Sequence, residues 1–187
     1  MIVVIGSPRL RRPEGINEHA ELAGSGAVIA VAAAATGASV QLVGKIRDDE
    51  SGDEAILALG RVSVGHAAIL RDSVATTLDT GDIELALSYL TDFRVIVAAE
   101  PIDPDAAKVV ADAASYAGAH LIWAVGKGSE PPRSTDALTV LDAPKEGGGA
   151  FAKLVGSYAA GLDAGVPAER AFREAVRDSG WETAPGD

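Results

Sequence analysis

Cysteine is absent from this chain of 187 residues, which excludes a disulfide framework and a thiolate metal site. Histidine is scarce. His19, His66 and His120 lie far apart along the chain, so a histidine metal centre is not expected, and each reads as a surface or strand-end residue. Aromatic residues make up 4% against 48% hydrophobic residues overall. The core must therefore be built from Ala, Val, Leu and Ile, which favours layered packing of helices on a sheet. Long apolar runs are missing too. Ile2 to Ile5 is too short for the apolar segment of a secretory signal, and no run approaches membrane-spanning length, so a cytoplasmic protein with no membrane partner is expected. Positive charge is in deficit, with a formal net charge of −11. No stretch concentrates Lys and Arg enough to reverse that locally, so nucleic acid is not an expected partner. The nearest thing to a basic patch is Arg9, Arg11 and Arg12, either a solvated loop or a contact for a phosphorylated ligand.

What is present reads as one α/β domain over residues 1–187, since the chain is long enough for one substantial core and short for two. Met1 to Ile5 is a β-branched run ended by Gly6, the pattern of a strand buried on both faces in a parallel sheet. A polar loop runs from Ser7 to about Glu18. Gly24-Ser25-Gly26 then precedes an Ala-rich helix that stops at Gly37, and Ser39 to Ile46 reads as a second strand. Asp48-Asp49-Glu50-Ser51 suits the start of a helix with Ala55, Ile56 and Leu59 on its apolar face.

His66 to Leu70 and Val74 to Leu78 are short β-prone segments readable as a hairpin or a small peripheral sheet. Asp82 is the expected cap of a helix carrying Ile83, Ala86, Leu87 and Leu90, followed by a strand from Arg94 to Ala98. Asp103-Pro104 opens another helix, ended at Gly118, before strands at His120 to Val125 and Leu138 to Leu141. After Gly149 a long helix places Phe151, Leu154, Val155, Tyr158 and Leu162 at core spacing, and Val166-Pro167 starts a last helix with Phe172, Ala175 and Val176 inward. Alternating strands and helices predict a doubly wound, mostly parallel sheet with helices on both faces, which binds ligands at the carboxyl ends of its strands.

Two glycine clusters, Gly24-Ser25-Gly26 and Gly147-Gly148-Gly149, are the candidate anion cradles. Glycine lets backbone amides approach a phosphate, and a helix N-terminus adds a favourable dipole. The first cluster can be set against a dinucleotide fingerprint with Asp48 or Asp49 as ribose partner, but Ile29 takes the third glycine's place. A glycine-rich turn with tight helix packing is the competing reading.

The ordered segments Ala23-Gly24-Ser25-Gly26-Ala27, Gly37-Ala38-Ser39-Val40-Gln41-Leu42-Val43-Gly44-Lys45-Ile46 and Asp48-Asp49-Glu50-Ser51-Gly52-Asp53 resemble the N-terminal signature of the ribokinase-like (PfkB) carbohydrate kinases. Glu146-Gly147-Gly148-Gly149-Ala150-Phe151 is similar to the turn with which that family binds the transferring phosphate. The resemblance covers roughly the first 60 residues and, partially, the last 40. It implies a ribokinase-like fold, with Gly24, Ser25 and Gly26 facing a sugar or nucleoside, and Gly147, Gly148 and Gly149 holding phosphate. ATP and Mg are its implied cofactors, used in phosphoryl transfer to a sugar hydroxyl. It also implies a peripheral β lid, here about residues 8–20 and 62–80, that serves as a dimer contact, so a homodimer is expected.

Departures from the pattern are specific. Gly149 stands where the family carries its catalytic Asp, with Glu146 and Asp142 as nearby substitutes. Val28 replaces a usual Asn, and Ser7-Pro8-Arg9 follows strand one where a sugar-binding Asp is usual. The chain is also markedly shorter than typical members. A weakened or inactive sugar kinase is the resulting expectation, with a non-catalytic small-molecule-binding or dimeric interaction protein as the alternative.

Overall fold

The computed structural model describes residues 1–12, 20–74, 77–126, 129–133, 137–144 and 148–181. Its centre is a six-stranded sheet built from β1 (Ile2–Ile5), β4 (Val40–Arg47), β5 (Gly65–Asp72), β6 (Val95–Ala98), β7 (His120–Trp123) and β8 (Leu138–Val140). The order across the sheet is β5-β4-β1-β6-β7-β8, and every pair is parallel. The chain winds outward from β1 in one direction, then returns to β6 and winds outward in the other. The reversal leaves a crevice beyond the carboxyl ends of β1 and β6, the usual place for a ligand in such sheets.

Alternation along each strand divides the core in two. Ile2, Val4, Val40, Leu42, Val95, Val97 and Ile122 face one layer, formed by α1 (Ser25–Ala34), α5 (Gly148–Asp163) and α6 (Ala168–Ser179), with Leu59 of α2 (Glu50–Arg61) joining it. Val3, Ile5, Val43, Ile96 and Leu121 face the other, formed by α3 (Thr80–Tyr89) and α4 (Pro104–Ala117). The wholly buried run Ile2–Ile5 is β-branched because it is covered on both faces. Alanine dominates α1 because α5 lies against it so closely that a Cβ at Gly156 would meet the Ala33 amide nitrogen at 2.7 Å. No helix among the described residues is long and apolar enough to cross a membrane.

Several expectations shift. Gly65–Asp72 is not half of a hairpin or part of a peripheral sheet; it is the edge strand of the main sheet, parallel to β4. Residues 65–72 are thereby taken out of the lid expected at 62–80, because they pair with β4 and the side chain of Ala68 packs into the second core layer. The segment after Ser7, expected as a polar loop and, by the resemblance, as part of a β lid at 8–20, contains β2 (Arg9–Arg11), which pairs antiparallel with β3 (Glu21–Ala23) in a separate two-stranded ribbon. The cap of α3 is Asp79 rather than Asp82. Asp79 accepts from the Asp82 amide at 2.9 Å and Asp82 accepts from the Asp79 amide at 3.0 Å, a reciprocal capping box that starts the helix one turn earlier. Asp49 caps α2 and Asp103 caps α4, with Pro104 at its first position and Gly118 left-handed at its end.

Candidate functional site

The crevice is assembled by close backbone approach. Gly24 caps α1 with φ 89° and no side-chain hydrogen bond, a conformation open to glycine. A Cβ there would lie 2.8 Å from the Ser7 carbonyl oxygen. Gly26 backs directly onto Gly6, where a Cβ would come within 2.7 Å of the Gly6 Cα. Gly26 therefore joins the helix to the end of β1 and faces strand backbone, whereas Gly24 and Ser25 remain at the surface of a cleft. With no acidic side chain in its first turn, α1 presents its positive dipole end without local neutralisation.

Of the second glycine cluster, Gly149 reaches the same place. Helix α5 runs from the carboxyl edge of the sheet to the amino edge, where Asp163 near its end pairs with the Met1 ammonium at 2.6 Å. Its beginning is thereby fixed beside the beginning of α1. One cleft of about 470 Å³ is lined by Gly24 and Ser25 from α1, Gly149 from α5, Leu22 from the ribbon and Pro144 from the segment after β8. Gly148 and Gly149 are already helical rather than part of a preceding turn. Nothing lies within 4 Å of a Cβ built on Gly149. Asp142 is exposed, and Glu146 and Gly147 lie outside the described residues.

Sequence reasoning missed Glu100. This residue follows β6 at the reversal of winding, and its Oε2 accepts from the Ser7 amide at 3.1 Å. Its Oε1 lies 3.7 Å from the Cβ position of Gly24. Burial raises the Glu100 pKa above the ordinary glutamate range, opposed by the Ser7 amide and by the charge of Arg9. A signal was available: an acid directly after a fully apolar central strand of a parallel sheet sits where ligands bind. Ser7 is 2% exposed, and its Oγ accepts from the Lys45 amide at 3.1 Å. One serine thus ties β4 to the carboxylate at β6.

The arginines divide. Arg11 on β2 bonds Glu21 on β3 at 2.8 Å and also lines the cleft, while Arg12 bonds Glu54 at 3.1 Å. Of the two aspartates set against a ribose, Asp48 accepts from Arg71, and Asp49 accepts from the Gly52 amide at the head of α2. Among the described residues no three of His, Cys, Asp and Glu cluster closely enough to hold a metal ion.

No family model matches the chain, and no curated protein matches it in sequence. Solved structures match its fold. Aminoimidazole riboside kinase from Salmonella enterica superposes with a TM-score of 0.67 at 13% identity, covering 96% of this chain and 90% of that one. A PfkB protein from Polaromonas sp. JS666 gives 0.66 at 14% identity, covering 95% and 94%. The ribokinase of Arabidopsis thaliana, solved with ribose and ATP, gives 0.64 at 15% identity, covering 95% and 90%. The chain has the ribokinase-like fold, and the likeness runs through its middle as well as through the two ends where the motifs lie.

Proposed function

We propose that this chain is a ribokinase-like small-molecule-binding protein that takes the anionic part of its ligand in the cleft between the starts of α1 and α5, with ATP-dependent phosphoryl transfer to a sugar hydroxyl weak or absent. The observation that carries this reading is that Gly24, Ser25 and Gly149, far apart in sequence, line one cleft of about 470 Å³. Two helix N-termini converge there, and their amides and dipoles favour a phosphate. The fold neighbours include a ribokinase solved with ribose and ATP, which supports ATP and a sugar or nucleoside as the ligands to try first.

Weakness follows from residue 149. In the PfkB resemblance this position carries the carboxylate that accepts a proton from the attacking hydroxyl, and glycine has nothing to accept it. Loss of a general base costs about 10²–10⁴ in rate. The free space over Gly149 makes Gly149→Asp a clean test. Phosphoryl transfer from Mg·ATP to a panel of sugars and nucleosides is expected to rise in the variant. The reading is sunk if the unaltered protein shows no thermal shift with any nucleotide, sugar or nucleoside. A thermal shift without turnover in either protein favours the non-catalytic alternative.

An oligomeric role also has an observation behind it. Strand β5 is the edge of the sheet, paired with β4 on one side, and open edges accept strands from another copy. A homodimer built through that edge is the corresponding proposal.

A further inference from the structure

Resting on the anion cleft proposed above, we infer that its ligand carries an apolar, planar body rather than a polyhydroxylated one. The cleft is walled by Leu22 from the ribbon, Val28 and Ile29 from α1, Pro144 after β8, and Phe151 from α5. Among the described residues, its lining includes two side chains able to form hydrogen bonds, Arg11 and Ser25. Arg11 is engaged with Glu21 at 2.8 Å, and Ser25 stands at the exposed head of the helix. A sugar placed here would surrender the water bonded to its ring hydroxyls and find few replacements, which is unfavourable for buried polar groups.

An aromatic or alicyclic ring system meets the opposite situation. It would bury its faces against the partly exposed Leu22, Val28 and Pro144 while an attached phosphate remains at the glycine-lined helix ends. The volume of about 470 Å³ has room for a fused two-ring body and one phosphate, within the usual range of small-molecule pockets. Glu100 does not line the cleft, and its Oε2 is bonded to the Ser7 amide. Val28 is the position that decides the class: it is half-buried, one turn into α1, and faces the cleft.

Titration calorimetry on the full chain with 1-naphthyl phosphate and ribose 5-phosphate, two phosphate monoesters that differ in their bodies, tests this. The naphthyl ester is expected to bind at least about ten-fold tighter, the scale of burying one ring face. Val28→Asn should weaken the naphthyl ester and narrow the gap, with Leu22→Asn as the second variant if the first does not fold. Equal affinity for the two esters, tighter binding of ribose 5-phosphate, or indifference of the naphthyl affinity to both variants overturns the inference while leaving the anion cleft standing. Binding of neither ester overturns both.

Discussion

At the scale of single residues, the two glycine clusters turn out to contain glycines for different reasons. Gly26 is glycine because strand backbone occupies the space where a side chain would be, and Gly149 has open space in the same position. Alanine should separate them. Gly26→Ala forces α1 away from β1 and is expected to cost about 1–3 kcal/mol, the usual range for overpacking. Gly149→Ala, in the first turn of α5, lowers the entropy of the unfolded chain and should be neutral or stabilising by up to about 1 kcal/mol. Denaturant melts of the two variants check both signs.

Glu100 gives the second residue-scale prediction. Its pKa is raised in the folded protein by burial, so the folded state holds this proton more tightly than the unfolded chain does. The raised value means a contribution that is fully favourable below the unfolded pKa and lost as pH rises through the folded one. Glu100→Gln keeps an oxygen for the Ser7 amide and removes the buried charge. The variant should melt higher than the parent at pH 7, and the difference should shrink as pH falls to the ordinary glutamate range. A difference that grows on acidification would contradict the burial argument.

At the scale of elements, the start of α3 carries more than a cap. Asp82 completes the capping box with Asp79 and also bonds the Lys45 ammonium of β4 at 2.6 Å, with Asp72 of β5 at 3.8 Å. Lys45 is 7% exposed, and its pKa is raised chiefly by the hydrogen bond from its ammonium to Asp82. Losing the Asp79 cap alone should cost about 0.5–2 kcal/mol. Asp82→Asn should cost more, because removing one partner of a buried pair leaves the other charge poorly compensated, typically at about 3–5 kcal/mol. Lys45→Met added to Asp82→Asn should recover much of the loss, and a double-mutant cycle by denaturant melts measures the coupling. Additive losses would show that the pair does not act as a unit.

This element also marks where the sequence was readable. Asp103-Pro104 could be assigned as a cap because it directly precedes its helix, and the run Asp48 to Ser51 marked the start of α2 without singling out Asp49. Asp82 was plausible for the same local reason, but the reciprocal bonds with Asp79 set the start one turn earlier. Strand β2 lies inside the segment 8–20 expected as part of a peripheral β lid, whereas its partner β3 lies beyond it and was missed, because a three-residue strand has little apolar periodicity. Gly65–Asp72 was legible as a strand, yet its partner was not, because a β-prone pattern is satisfied equally by a hairpin and by a parallel edge.

At the scale of the whole molecule, an open β5 edge is the ground for expecting a second copy. Light scattering should return twice the mass of the chain, and a monomer at micromolar concentration would remove the dimer proposal. The sequence by itself determined the class of architecture. Runs such as Ile2–Ile5 and Val95–Ala98, apolar at every position, are stable only when covered on both faces, and glycine and capping residues punctuate the helices between them. It also identified both glycine clusters and the absence of a carboxylate at position 149. What the tertiary structure decided was proximity. Whether Gly24 and Gly149 share a cleft depends on α1 and α5 lying side by side, and whether Glu100 reaches Ser7 depends on β6 pairing with β1. Neither relation leaves a local pattern, because each is fixed by the order in which the strands assemble and by the packing of residues distant in sequence.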